Sequence, residues 1–165
     1  MKFSIDPILT EDRNTIIDIF NHYVENSYAA FSTDKIPYEA FDNLFKMSNG
    51  YPRGAIKDQK RKTVGFGMLR YHNPITSFAQ TAEATYFIHP DHTRKGLGTL
   101  MLDFLEKRAI QKGITNLLAN ISSLNPNSIN FHLKNGFVEC GRFNKVGKKR
   151  GREFDIVWMQ KVLTQ

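Results

Sequence analysis

Two hydrophobic periods alternate along the chain. Ile16, Ile17, Phe20, Tyr23 and Val24 recur at helical spacing, which predicts a helix from Glu11 to about Asn26. Thr10 reads as its N-cap, and Glu11 and Asp12 complement the dipole of its first turn. Before it, Phe3, Ile5 and Ile8 form a short edge-like strand broken by Pro7. Pro37 opens a second helix, with Phe41, Leu44 and Phe45 on one face and Gly50 beyond its end.

The period then shortens. Residues 54–57 and 63–71 flank a polar stretch at 58–62 and read as a hairpin of two strands. After a polar loop from His72 to Gln80, residues 82–88 form a third strand in this region, ended by His89-Pro90-Asp91. Helical spacing returns in Leu97, Leu100, Met101, Phe104, Leu105 and Arg108, and Gly113 closes that helix. Asn116 to Ile121 is a short apolar strand. Asn125 and Pro126 form an N-cap and N1 pair for a helix running to Asn135, with Gly136 as its stop. Residues 137–146 and 155–163 are two closing strands joined by a basic turn. The order β-α-α-β-β-β-α-β-α-β-β implies a mixed α/β fold, one twisted sheet with helices on both faces, in a single domain over residues 1–165.

Composition narrows the class. With 41% hydrophobic and 24% charged residues, the 165-residue chain can bury a core. No apolar run approaches the roughly 20 residues that span a bilayer. The stretch from Met1 to Pro7 lacks a secretory pattern, so a cytoplasmic location is expected, with no membrane partner. The one cysteine, Cys140, excludes an internal disulfide and reads as a small core residue. A net charge of +7 favours anionic partners without choosing among nucleic acid, membrane and phosphorylated small molecules.

The most informative stretch runs from Tyr86 to Leu105. A strand leads into Arg94-Lys95-Gly96-Leu97-Gly98-Thr99, which opens the strongest helix. Paired glycines admit a ligand close to the backbone, and helix N-terminal amides favour an anion. Arg94 and Lys95 add full charges, so a diphosphate fits there. The Walker pattern is absent, and Met101 stands where the dinucleotide fingerprint needs its last glycine.

The run from Ile88 to Gly98 resembles the acetyl-CoA motif of the GCN5-related N-acetyltransferase superfamily, usually Gln/Arg-x-x-Gly-x-Gly/Ala, although Thr93 takes the place of Gln or Arg. Residues 21–26 with Ala30-Phe31, 82–85, 125–128 with Phe131-His132 and Gly136-Phe137, and Val146-Gly147 with Gly151-Arg152 and Asp155 resemble the phosphinothricin and methionine sulfone/sulfoximine acetyltransferase branch. The resemblance implies a mostly antiparallel sheet and acetyl-CoA as cosubstrate. It implies that Tyr86, Phe87 and Ile88 line the pantetheine arm through their backbone. Arg94, Lys95, Gly96, Leu97, Gly98 and Thr99 would hold the diphosphate, and Asn125 and Ser128 would contact the cofactor beyond it. Glu83 would be the base. Relatives often pair, so a homodimer is expected.

Acetyl transfer makes sense of these residue types. An amine attacks a thioester only as the free base, so its proton must leave. Glu83 is the one carboxylate in an otherwise apolar strand. Glu83 and Ile88 should point to opposite faces, and a bulge near Thr85 to Phe87 would let both serve one site. His132 is a candidate acid for the departing thiolate, or equally a packed helix histidine. Tyr28, Phe31 and Lys148 are candidates to shape the acceptor pocket. His89 and His92 lack a third ligand, so no metal is expected. The basic run Lys145, Lys148, Lys149, Arg150 and Arg152 reads as a solvated turn or as a site for an acidic acceptor, with no recognisable nucleic-acid motif. The leading expectation is transfer to the primary amine of an amino acid or analogue. The alternatives are a peptide or protein amine acetyltransferase, and a non-catalytic domain that binds acetyl-CoA or nucleic acid.

Overall fold

The computed structural model describes residues 2–164. Its strands are β1 (Ser4–Asp6), β2 (Arg53–Lys57), β3 (Thr63–Tyr71), β4 (Thr81–Ile88), β5 (Asn116–Ser122), β6 (Val138–Lys149) and β7 (Arg152–Val162). Its helices are α1 (Arg13–Asn26), α2 (Phe41–Lys46), α3 (Leu97–Gln111) and α4 (Pro126–Lys134). The expected order of elements holds throughout. The strands form one seven-stranded sheet in the order β1-β2-β3-β4-β5-β7-β6. Every neighbouring pair is antiparallel except β4 and β5.

The sheet buries both faces. Ile16, Ile17 and Ile19 of α1 and Phe41 and Phe45 of α2 pack on Phe66 and Met68 of β3. Leu97, Met101, Leu102 and Leu105 of α3 cover the opposite face with Leu69, Ala82, Leu117 and Met159, and Ile129 and Phe131 of α4 join them. Being covered on both sides, β3 is buried from Thr63 through Leu69 instead of alternating. The buried stripe of α3 is rotated from its expected line. Leu102 and Ala109 face inward and Leu100 is exposed, because the sheet meets the helix along the i, i+4 row through Leu97, Met101 and Leu105.

Three local expectations are corrected. Thr10 begins a 3₁₀ turn (Thr10–Asp12) rather than capping a helix, and the Asp12 carboxylate accepts the Leu9 N–H at 2.9 Å. Asp12 is then buried and paired with Lys57 and with the Thr63 hydroxyl. Cys140 is exposed on the edge strand β6, where it donates to the Trp158 carbonyl. Part of the basic turn is structural. The Lys149 ammonium is buried and donates to the Ser27 and Ala30 carbonyls at 2.9 and 2.7 Å, and Arg150 donates to the Val24 carbonyl at 3.2 Å. Cations at the C-terminal end of α1 complement its dipole there.

Candidate active site

The site originates in the one parallel pair of the sheet. Strands β4 and β5 are in register only from Thr81↔Asn116 to Glu83↔Leu118, and beyond Glu83 they part. Across from β3, by contrast, β4 keeps an unbroken register from Ala82 to Ile88. The expected bulge near Thr85 to Phe87 is therefore absent, and a splay replaces it. The splay leaves the β5-facing backbone groups of β4 without a strand partner and opens a gap through the sheet.

A cavity of about 1090 Å³ occupies that gap and is lined by residues from both faces. Glu83 and Phe87 belong to the α1/α2 face, whereas Ala84, Tyr86 and Ile88 face α3. The alternation of a regular strand thus stands, and the gap lets both faces reach one cavity.

On the α3/α4 side, the turn into α3 puts Arg94 (φ 58°) and Gly96 (φ 77°) in the left-handed region. Gly96 takes the N-cap position of α3 and offers no side-chain cap to the first-turn amides. A side chain at Gly98 would meet the Phe131 ring at 3.1 Å, so this glycine lets α3 and α4 close on each other. Arg94, Gly96, Leu97, Gly98, Thr99, Asn125 and Ser128 all line the cavity, as do Tyr86, Phe87 and Ile88. Lys95 is not on its wall, and its ammonium donates to the Asp91 carbonyl at 2.7 Å. The Ile88 carbonyl already accepts the Tyr23 hydroxyl at 2.5 Å.

His132 is buried in α4, and both its nitrogens are engaged. Its Nδ1 lies 2.7 Å from the Ser128 carbonyl, which only an N–H can satisfy. The neutral ring therefore accepts the Tyr86 hydroxyl at Nε2, at 2.5 Å. The Tyr86 and His132 rings stack at 5.7 Å, and Phe137 meets the imidazole edge-on at 4.9 Å. Burial pulls the imidazole below the ordinary histidine value, against the opposing pull of the Ser128 carbonyl. Burial first, then the Glu106 carboxylate, holds the Tyr86 hydroxyl far above the ordinary tyrosine value.

On the α1/α2 side the wall is mostly apolar and aromatic, with Phe20, Tyr23, Phe31, Leu44 and Met68. Phe31 stacks on Phe154 at 5.9 Å. Tyr28 and Lys148 are not part of the wall. The Arg150 and Arg152 guanidiniums lie 5.9 and 5.7 Å from the Tyr28 ring, and Lys148 is exposed opposite Glu153.

Glu83 does not stand in the apolar setting expected of its strand. It is buried one layer behind the wall, where Arg70 Nη2 donates to Oε2 at 2.6 Å and Asn120 Nδ2 donates at 3.2 Å. His72 Nδ1 lies 2.9 Å from Oε1. Arg70 and Asn120, which do line the cavity, were missed in the sequence. Arg70 faces Glu83 directly in the β3–β4 register, a pairing that the long loop between those strands does not fix. His89 and His92 sit in the turn before α3, and among the described residues no group of three or more His, Cys, Asp or Glu could hold a metal ion.

The chain matches known proteins in both sequence and fold. The profile of the Acetyltransferase (GNAT) family matches residues 16–137, more than half the chain. The chain belongs to that family and is an N-acetyltransferase. It is 30% identical over 162 residues to an L-methionine sulfoximine/L-methionine sulfone acetyltransferase of Pseudomonas aeruginosa, covering 97% of this chain and 94% of that one. It is 29% identical over 151 residues to an L-amino acid N-acyltransferase of Escherichia coli, covering 90% and 87%. A GNAT phosphinothricin acetyltransferase from Sinorhizobium meliloti, solved in complex with acetyl-CoA, superposes with a TM-score of 0.92 at 25% identity, covering 99% and 89%. The sequence resemblance and the fold class thus hold.

Proposed function

We propose that this GNAT enzyme transfers acetyl from acetyl-CoA to the primary amine of an amino acid or close analogue, of the phosphinothricin or methionine sulfoximine type. One observation carries the reading: a single cavity, passing through the β4–β5 gap, joins the amide-rich start of α3 to an aromatic half beside Glu83. Two substrates entering from opposite faces would meet at β4. The names of the relatives supply the donor and the acceptor class.

The diphosphate would lie at Arg94, Gly96, Leu97, Gly98 and Thr99, with Lys95 adding charge from outside the wall. The pantetheine arm would follow the unpaired edge of β4 at Tyr86, Phe87 and Ile88, and Asn125 and Ser128 would close over it. Glu83 is the base. Its carboxylate stands behind Arg70 and Asn120, so the ammonium proton travels to it through water. The amine nitrogen then bonds to the acetyl carbonyl carbon as the carbon–sulfur bond breaks. The proton that the new amide nitrogen sheds passes through water to the departing thiolate, and His132, neutral and accepting the Tyr86 hydroxyl at Nε2, takes the part of a packed helix histidine that positions Tyr86. Phe31 shapes the acceptor half, and Tyr28 and Lys148 act on it from outside the wall. The assembly proposed is a homodimer.

Thiol release from acetyl-CoA across a panel of free amino acids, simple amines and peptides tests the reading. Release with free amino acids is expected. Release with peptides alone would replace the acceptor class. Glu83→Gln is expected to keep coenzyme A binding and lose turnover most at neutral pH, and unchanged turnover there would remove the base from Glu83.

A further inference from the structure

We infer that Arg70 reads a carboxylate on the acceptor, and that within the acceptor class proposed above the enzyme prefers amines carrying one carboxylate and an apolar side chain, as in methionine sulfoximine, to dianions such as phosphinothricin. The inference rests on the acceptor half proposed above and deepens it.

Arg70 is the last but one residue of β3, on the face that bears Glu83. Its side chain is about a third exposed and lines the cavity. Among the described residues, only Nη2 of its three guanidinium nitrogens makes a hydrogen bond, to Glu83. Nε is buried without a partner, and Nη1 is left with donors to spare. Glu83 anchors the guanidinium from behind, and His72 and Asn120 hold Glu83 in turn. A planar cation fixed on one side and open on the other is the geometry that takes a carboxylate with little ordering cost.

The surroundings set the rest of the acceptor. Phe20, Phe31, Leu44 and Met68 offer apolar wall and no second cation. The other lysine or arginine on the cavity wall, Arg94, belongs to the start of α3 on the far side of the sheet. One anionic group can thus be paired in the acceptor half. A second would be left unpaired against apolar wall and would weaken binding. Arg70 bonds Glu83 already, so one residue places both the base and the acceptor that the base serves.

The test uses calorimetry with the coenzyme A-loaded protein, together with thiol release where turnover occurs. The probes are L-methionine, its decarboxylated amine 3-(methylthio)propylamine, and the dianionic L-glutamate. L-Methionine should bind about 100-fold more tightly than its decarboxylated amine, as a site built around a charged partner rejects a ligand lacking it. L-Glutamate should bind more weakly than L-methionine. In Arg70→Met the ratio between the first two probes should collapse towards unity, and Arg70→Lys should restore part of it. Three results would overturn the inference: equal wild-type affinity for the two monoamines, tighter binding of L-glutamate, or a ratio that survives in Arg70→Met. If Arg70→Met fails to fold, the wild-type ratios still decide. Failure of the acetyl-transfer reading looks different: no thiol release with any amine, while the binding ratios still report on Arg70.

Discussion

Asp12 and His132 show how burial acts in opposite senses on an acid and a base. Burial raises the Asp12 carboxyl, but the Lys57 ammonium, the Thr63 hydroxyl and the Leu9 N–H together leave it below its ordinary value. Its folded value is depressed, so its stabilising contribution is present above about pH 4, the unfolded value, and is lost as pH falls through the folded one. Asp12→Ala strands the Lys57 ammonium in the core and should cost about 3–5 kcal/mol at neutral pH, read by chemical unfolding. A change within error would mean that Lys57 finds another partner. His132 is depressed as well, so the fold favours the neutral ring. That contribution is complete above about pH 6.5 and disappears as pH falls through the folded value. A proton NMR titration should place the His132 midpoint below 6.5. Tyr86→Phe leaves Nε2 unpaired, and should cost about 1–3 kcal/mol. A midpoint at or above 6.5 would contradict the buried neutral ring and the tautomer assigned to it.

At the scale of elements, periodicity carried nearly all of the architecture. The strands and helices appear in the expected order because the helices repeat with the face they bury and the strands are short apolar runs bounded by turns, β3 being buried on both faces. Stops such as Gly113 and Gly136 take positive φ as their place at helix ends requires. What periodicity missed depends on contacts between distant segments. The rotation of α3 toward Leu102 depends on where the sheet lies beneath it. The pairing of Arg70 with Glu83 depends on a register that the loop from His72 to Gln80 leaves free. The splay of β4 from β5 depends on two strands separated by α3. The basic turn misled for a related reason: a run of like charges looks solvated until the C-terminal end of α1 is found against it. Lys149 illustrates the consequence. Burial, with Arg150 beside it, pulls its ammonium below the usual lysine value. Lys149→Met removes two donors from carbonyls at the end of α1 and should cost about 1.5–3 kcal/mol. Ala30 and Phe31 line the cavity on the side proposed for the acceptor, so the KM for the amine should rise while coenzyme A affinity holds. Hydrogen exchange across residues 27–31 should quicken. An unaltered KM with unaltered exchange would show that the turn does not support the acceptor wall.

The molecule as a whole brings two faces of one sheet to a single gap, and this geometry has a kinetic consequence. In the proposed arrangement cofactor and acceptor reach the gap from opposite faces, so neither substrate needs to leave before the other arrives. A two-step route through an acetyl-enzyme would need an activated nucleophile in the cavity. Cys140 lies exposed on β6, outside it. Ser128 and His132 look like a nucleophile and its base, with Oγ 3.4 Å from Nδ1, but that nitrogen's proton is already given to the Ser128 carbonyl at 2.7 Å. An imidazole nitrogen that carries a proton cannot take one from the hydroxyl. Initial rates measured against both substrates should therefore give intersecting double-reciprocal lines, and mixing enzyme with acetyl-CoA alone should release no burst of thiol. Parallel lines, or a burst equal to the enzyme present, would require a covalent intermediate. They would make Ser128 the first residue to replace, with Ser128→Ala expected to abolish the burst.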